Sequence, residues 1–171
     1  MNFVYISPQF PKTNWEFCDR LKKDGVTVLG IADVDYDSLD PKLKNALTEY
    51  YKVSSLENYD EVLKAVGFFT HKYGKIDWIE SNNEYWLVND SRLRTDFNVT
   101  TGIQFNKVSG IKEKSKMKKS YKKAGIPTAD YSMVTTLAKA KKFIEKAGYP
   151  VIVKPDNGVG ASDTHKISNE E

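Results

Sequence analysis

The residues best suited to chemistry lie between Lys154 and Thr164, in a stretch rich in small and polar side chains. Gly158 and Gly160 can take positive φ angles, which lets backbone N–H groups converge on an anion. Ser162 and Thr164 add hydroxyl donors, and Lys154 supplies a positive charge at the end of an apolar segment. These residue types predict contacts with phosphate groups of a nucleotide. An ordinary glycine-containing turn beside a lysine that reaches into solvent is the alternative interpretation.

Two strands should position this stretch. Residues 151–153 form a β-branched run between two prolines, and a second strand is predicted from Thr164 to Ile167. Strands this close in sequence normally join through two to five residues, whereas residues 155–163 form a connection of nine. We therefore predict a hairpin with a long loop that covers a ligand.

The first hundred residues alternate between strand and helix patterns. Strands are predicted at residues 3–6, 26–32, 51–53 and 76–80, and helices at residues 14–24, 41–50, 59–73 and 85–97. This order is typical of a parallel, doubly wound α/β sheet of the Rossmann-like kind. The first strand is followed by Ser7-Pro8-Gln9-Phe10-Pro11-Lys12 and not by G-x-G-x-x-G, so NAD is not expected.

Polar residues follow the predicted strands. Ser81-Asn82-Asn83-Glu84 comes after the fourth strand, at the end where open parallel sheets place ligands. The acidic residues of segment 33–40 are interpreted as a solvated loop. Cys18 is the only cysteine, which excludes an intramolecular disulfide, and it should be a buried helix residue. With two histidines in the chain, no zinc site of ordinary spacing is predicted.

A change in composition predicts a domain boundary between residues 104 and 105. Residues 107–123 contain eight lysines against one glutamate and are predicted to form one basic helix. Nucleic-acid binding is not favoured, because the net charge is only +3 and few aromatic residues are interleaved with the lysines. Residues 125–127 should end this helix, and a strand at 131–134 and a helix at 136–147 should follow.

The order of these pieces resembles the ATP-grasp superfamily. The resemblance depends on four segments: Glu113 to Lys119, Ala124 to Thr128, Gly148 to Pro155, and the loop Asp156 to Thr164. It implies a Rossmann-like domain at residues 1–104 and the beginning of an α+β ATP-grasp domain at residues 105–171. By position, Lys114 is similar to the family's first nucleotide lysine and Lys154 to its second. Gly158 and Gly160 are similar to the loop that folds over the phosphates. Lys114 could also be one more lysine on a basic helix.

The resemblance implies an ATP-dependent ligase that uses Mg-ATP to activate a small carboxylate as an acylphosphate, which a nucleophile then attacks. The best-known relatives are the large subunit of carbamoyl-phosphate synthase and biotin carboxylase, and a carboxylate-amine ligase is equally compatible. The magnesium ligands of the family are expected outside this chain. We therefore expect an N-terminal portion of a longer ligase that is inactive alone and is completed by a partner chain or a homo-oligomer.

Two other classes of protein stay open at this stage. One is a non-catalytic nucleotide-binding or assembly module, and the other is a basic interaction protein that uses the lysine-rich helix. No apolar run in the 171 residues reaches the 18 or so that a membrane span needs, so we expect a soluble, cytoplasmic protein without a membrane partner.

Overall fold

The computed structural model describes residues 1–170. The chain divides into two compact units, the first from Met1 to Val108 and the second beginning at Ser109. Each unit has its own sheet.

The first unit is built on a four-stranded sheet in the order β3-β2-β1-β4. All three neighbouring pairs are parallel. The strands are β1 (Asn2–Ile6), β2 (Thr27–Ala32), β3 (Glu49–Lys52) and β4 (Trp78–Glu80). The chain moves outward from β1 to β3 and then crosses to the other side of β1 for β4. The predicted parallel α/β sheet is confirmed.

Helices connect these strands, together with one 3-10 turn at Tyr36–Ser38. They are α1 (Asn14–Lys23), α2 (Pro41–Ala46), α3 (Tyr59–Tyr73) and α4 (Leu87–Asp96), and α5 (Phe105–Lys112) follows them across the unit boundary. Helix α3 has the predicted bounds because both of its ends carry strong local signals. The Asn58 side chain accepts a hydrogen bond from the Glu61 amide at its start, and Gly74 ends it with φ of +82°.

Two apolar clusters cover the two faces of the first sheet. Val4, Ile6, Leu29 and Ile31 pack in one cluster with Phe69 of α3. The alternate strand residues Phe3, Tyr5 and Val28 pack in the other cluster with Cys18 of α1. Successive strand side chains point to opposite faces, so a sheet with helices on both sides buries nearly every strand residue.

The second unit contains two helices and an antiparallel hairpin. Its elements are α6 (Lys114–Lys123), α7 (Leu137–Ala147), β5 (Val151–Val153) and β6 (His165–Ile167). In the hairpin Val151 faces Ile167 and Val153 faces His165. The predicted hairpin with a long connection is therefore present.

Four predicted elements differ from the structure. The basic segment is two helices because the Lys114 amide donates to the Asp156 carbonyl oxygen at 3.0 Å, and Glu113 is extended with ψ of 118°. The second helix is shorter than predicted, and β3 begins at Glu49 instead of residue 51. Within residues 1–170, segment 131–134 pairs with no strand. No helix in this described part of the chain is long and apolar enough to span a membrane.

Candidate functional site

The loop between β5 and β6 contains several residues in the left-handed backbone region. Gly160 has φ of +63°, Ala161 of +59° and Asp163 of +50°. Gly158 does not share this conformation, so only one of the two predicted glycines has a positive φ angle. The left-handed region costs a residue with a side chain roughly 1–2 kcal/mol, so the two non-glycine residues are held in place at a cost. Such strain is typical of ligand loops.

Lys114 lies at the first position of α6 and reaches the loop. Its Nζ atom donates to the carbonyl oxygen of Gly158 at 3.0 Å and to that of Asp156 at 3.4 Å. An ammonium group has three N–H donors, so one donor is left for another acceptor. The structure therefore joins two predicted site residues, Lys114 and Gly158, that lie 44 positions apart in the sequence.

Asp156 makes the strongest contacts between α6 and the loop. Its Oδ1 atom accepts a hydrogen bond from the Ser115 amide at 2.7 Å, and its Oδ2 atom accepts one from the Ser115 hydroxyl at 2.8 Å. The Tyr131 hydroxyl donates to the Ser115 carbonyl oxygen at 3.3 Å. The carboxylate thus caps a helix whose own N-cap residue, Glu113, makes no side-chain capping bond. Sequence reasoning missed Asp156 and Ser115, because nothing in the local pattern pairs residues 41 positions apart.

The other predicted site residues lie on the surface. Lys154 directly follows β5 and is exposed, and within residues 1–170 its ammonium group has no hydrogen-bond or ion-pair partner. Ser162 and Thr164 are exposed as well, and the Thr164 hydroxyl donates to the Ser162 carbonyl oxygen at 3.4 Å. These groups are available to a ligand, but no contact among the described residues joins Lys154 to Lys114.

An open cavity of about 500 Å³ lies beside the end of α6. Lys118 and Lys122 line it together with the segment from Gly125 to Tyr131. The Lys118 ammonium donates to the Ala129 carbonyl oxygen at 2.5 Å and stands 5.2 Å from the centre of the Tyr131 ring. The cavity is therefore cationic, and its lysines come from the basic helix and not from the loop.

The first unit has a polar cluster where β4 ends. The Ser81 hydroxyl and amide both donate to Oδ2 of Asp90, at 2.5 and 3.1 Å. The second oxygen of this buried carboxylate, Oδ1, has no hydrogen-bond partner among the described residues. The pKa of Asp90 is raised to about 7, mainly because the carboxyl group is buried; the Ser81 hydrogen bonds act against this rise and the nearby Glu80 charge adds to it.

Arg94 holds the same strand end from the other side. It is almost fully buried, and it donates to the Ile79 carbonyl oxygen at 2.7 Å and to the Ile103 carbonyl oxygen at 3.1 Å. It also forms an ion pair with Glu80 at 2.7 Å. A Cβ atom on Gly102 would come within 2.9 Å of the Arg94 Nε atom, so glycine is needed there. We assign Arg94 a structural role, because these three of its N–H groups are bonded to protein acceptors and are not free for a ligand.

The described residues offer no ready-made metal centre. Residues 1–170 contain no group of three or more histidine, cysteine, aspartate and glutamate side chains placed to hold a metal ion. Cys18 is buried in the first core, and burial raises the pKa of its thiol to about 12. It has the packing role that the sequence predicted.

The sequence is similar to parts of known ligases and synthases. Residues 113–171 match the family described as carbamoyl-phosphate synthase L chain, ATP binding domain. An L-arginine-specific L-amino acid ligase from Bacillus subtilis is 34% identical over 106 residues, which are 62% of this chain and 25% of the ligase. The carbamoyl phosphate synthase large chain of Mycobacterium tuberculosis is 38% identical over 48 residues, which are 28% of this chain and 4% of that protein.

Three solved structures illustrate the similarity in fold. An L-amino acid ligase from Bacillus licheniformis superposes with a TM-score of 0.72 at 19% identity, over 98% of this chain and 39% of that one. A biotin carboxylase–β,γ-ATP complex from Campylobacter jejuni gives a TM-score of 0.75 at 20% identity, over 98% and 38%. The biotin carboxylase domain of Hydrogenobacter thermophilus 2-oxoglutarate carboxylase, in complex with MgADP, ADP and bicarbonate, gives 0.73 at 19%, over 98% and 37%. The chain thus spans a quarter or less of these curated relatives and under two-fifths of these solved chains.

Proposed function

We propose that this chain belongs to the ATP-grasp superfamily, that it is part of an ATP-dependent ligase, and that its second unit binds the phosphates of ATP. The proposed reaction activates a small carboxylate. A carboxylate oxygen attacks the γ-phosphorus of ATP, ADP leaves, and an amine or similar nucleophile then displaces inorganic phosphate from the acylphosphate. The whole reaction and both substrates are part of the proposal.

The observation that carries the proposal is the contact between the Lys114 ammonium and the Gly158 carbonyl oxygen, at 3.0 Å. It brings together a helix terminus and a small-residue loop that both lie within the segment matching an ATP-binding domain. On a basic helix that served only as a solvated surface, the Lys114 side chain would be expected to point into solvent and not to contact this loop. Lys154, at the root of the same loop, adds a second ammonium group, which has no hydrogen-bond or ion-pair partner within residues 1–170.

These residues supply charge neutralisation and orientation. Phosphoryl transfer spreads negative charge over the equatorial oxygens of the γ-phosphate, and preorganised donors stabilise that charge. In the proposed site Lys114 and Lys154 offer ammonium groups, Ser162 and Thr164 offer hydroxyl groups, and the backbone around Gly158 and Gly160 offers amides.

Magnesium belongs to the chemistry of the family, but the described residues do not form a site for it by themselves. The phosphate loop presents hydroxyl groups, amides and ammonium groups, of which the ammonium groups repel a cation. The proposal therefore gives residues 1–170 contacts with the phosphates only, and no step of it proceeds through a metal ligand in this part of the chain. Since the reaction consumes ATP, we also propose that it takes place in the cytoplasm.

The test is a titration of the 171-residue chain with Mg-ATP. Lys114→Ala and Lys154→Ala each remove a charge-assisted contact, so each should weaken ATP binding about ten- to a hundredfold. Lys119→Ala is the matched control, since Lys119 is an exposed lysine on the same helix, and it should change the affinity less than about twofold.

Equal ATP affinities for Lys114→Ala and Lys119→Ala would show that Lys114 is only part of a basic surface. A titration with heparin serves as a second control, because binding to a basic surface falls steeply with salt and shows no preference for a nucleotide. Tight, salt-sensitive heparin binding together with undetectable ATP binding would replace the ligase proposal with the basic interaction protein.

A further inference from the structure

Asp156 is linked to both lysines of the proposed site, to Lys154 through the sequence and to Lys114 through a hydrogen bond. It lies two residues after Lys154, and its carbonyl oxygen accepts the amide of Lys114 at 3.0 Å. The lysines belong to different elements and are 40 residues apart in the sequence, so neither element alone sets their separation. The following inference rests on the proposed function, because it assigns a role within the same site.

We propose that Asp156 is a positioning residue, which clamps the first turn of α6 to the root of the phosphate loop and so sets where the Lys114 ammonium stands. It uses three acceptor atoms. The carbonyl oxygen takes the Lys114 amide, Oδ1 takes the Ser115 amide at 2.7 Å, and Oδ2 takes the Ser115 hydroxyl at 2.8 Å. Both bonds to the carboxylate are charge-assisted, the stronger kind of hydrogen bond.

The chemistry of a helix start explains why a carboxylate suits this place. The first amides of a helix lack partners within the helix and lie at the positive end of its dipole, where an anion is stabilised. A side chain next to the helix usually fills this role, but Glu113 makes no capping bond here. Asp156 fills it from a distant part of the chain, and Ser115 is only 8% exposed as a result.

The clamp places Lys114 before any ligand arrives. With the backbone of Lys114 fixed to Asp156, its Nζ atom meets the carbonyl oxygens of Gly158 and Asp156 at 3.0 and 3.4 Å. Two of its three N–H groups are then occupied and the third is directed by the other two. A lysine held in this way loses less conformational freedom on binding a phosphate than a lysine that moves in solvent.

Packing does not provide an alternative way to hold these elements together. From Ser109 to Glu170 the structure buries no hydrophobic side chain, and the buried residues of this stretch are Lys112 and Ser115. The relation of α6 to the loop therefore depends on polar contacts, of which those of Asp156 are the shortest between the two.

The first measurement is amide hydrogen exchange of the full 171-residue chain without nucleotide. Asp156→Ala removes the acceptor of the Ser115 amide, which should then exchange at least about tenfold faster. Asp156→Asn keeps an acceptor oxygen at this position and should stay within about threefold of the parent. Asp163→Asn is the matched control, since it removes a carboxylate from the same loop and asparagine tolerates the left-handed backbone there. It should leave Ser115 unchanged.

The second measurement is a double-mutant cycle for Mg-ATP affinity. Asp156→Ala should weaken ATP binding about tenfold. If Asp156 acts through Lys114, the double variant Asp156→Ala/Lys114→Ala should bind ATP no more weakly than Lys114→Ala alone. A general structural role would make the two losses additive. Asp156→Asn should recover most of the affinity, which a role for the charge alone would not allow.

The outcomes separate this inference from the proposed function. Ser115 exchange in Asp156→Ala equal to the parent would overturn the clamp, as would additive losses in the double-mutant cycle. A parent chain that binds no ATP would overturn the proposed function, and in that case the exchange of Ser115 alone decides whether the clamp exists. Faster Ser115 exchange combined with unchanged ATP affinity would overturn the positioning role and leave ATP binding standing.

Discussion

The two units of this chain differ in the interactions that stabilise each of them internally. Every buried hydrophobic residue of the described chain lies between Phe3 and Val108, and all of them except Ala32 and Val108 belong to two cores around the parallel sheet. In the second unit large apolar side chains stay open to solvent, with Leu137 73% exposed and Ile152 55% exposed. Its hairpin has only two strands, and a two-stranded sheet is marginal in water without a packed face.

The difference shows that order in this protein has two sources. In the first unit, burial of apolar side chains stabilises the sheet, and polar residues such as Ser81 and Asp90 are buried within the same packed structure. In the second unit, the Asp156 carboxylate accepts hydrogen bonds from the Ser115 amide and hydroxyl and so holds α6 to the loop. A loop held by a few polar contacts opens at a lower free energy than a packed core, which is compatible with the proposed entry of a nucleotide.

The largest expected effect compares one apolar truncation in each unit. Phe69→Ala removes a fully buried ring and should lower the free energy of unfolding of the first unit by about 3–5 kcal/mol. Ile152→Ala removes a side chain that is already 55% exposed, so it should cost less than about 1 kcal/mol. All three tryptophans, Trp15, Trp78 and Trp86, lie in the first unit, so tryptophan fluorescence during urea unfolding measures the loss for Phe69→Ala in that unit. The loss for Ile152→Ala is measured by amide hydrogen exchange within the hairpin of the second unit. Similar losses for the two variants would remove the contrast between the units.

A smaller effect should appear as a pH dependence of the first unit. Because burial raises the pKa of Asp90 to about 7, the folded state holds a proton that the unfolded state releases near pH 4. Stability from this group is thus complete below the unfolded pKa and is lost as the pH rises through the folded pKa. Asp90→Asn should flatten the decline between pH 4 and pH 7, by about 3 kcal/mol.

The measurement for Asp90 is urea unfolding by tryptophan fluorescence at several pH values. Asp37→Asn is the control, because that carboxylate is exposed and should leave the slope of stability against pH unchanged. An Asp90→Asn variant whose stability changes with pH as the parent's does would contradict a protonated, buried Asp90.

The smallest effect compares a helix cap in each unit. The Asn58 side chain accepts the Glu61 amide at the start of α3, and the Thr136 side chain accepts the Lys139 amide at the start of α7. Each change to alanine should cost about 1 kcal/mol. Asn58→Ala should show this loss in tryptophan-detected unfolding, because α3 packs on the core. Thr136→Ala should show it only as faster amide exchange within α7, which buries no residue. A fluorescence shift for Thr136→Ala would mean that both units unfold together.

The sequence alone determined the elements whose signals are local. The alternation of strands and helices predicted the parallel sheet, and Asn58 and Gly74 gave α3 its bounds, because caps and apolar spacing act within a few residues. The β-branched run before Lys154 and the small residues after it predicted the hairpin and its long loop for the same reason.

The tertiary structure alone decided the features that depend on distant partners. The basic segment breaks at Glu113 because Asp156 takes the Lys114 amide, and 42 residues separate the two. Asp90 becomes a buried carboxylate with a raised pKa because the end of β4 packs over it, although its sequence neighbours are those of an ordinary exposed helix residue. The spacing of apolar residues indicates the secondary structure that a segment prefers by itself. Hydrogen bonds between distant parts of the chain decide which of its polar groups find partners outside the segment.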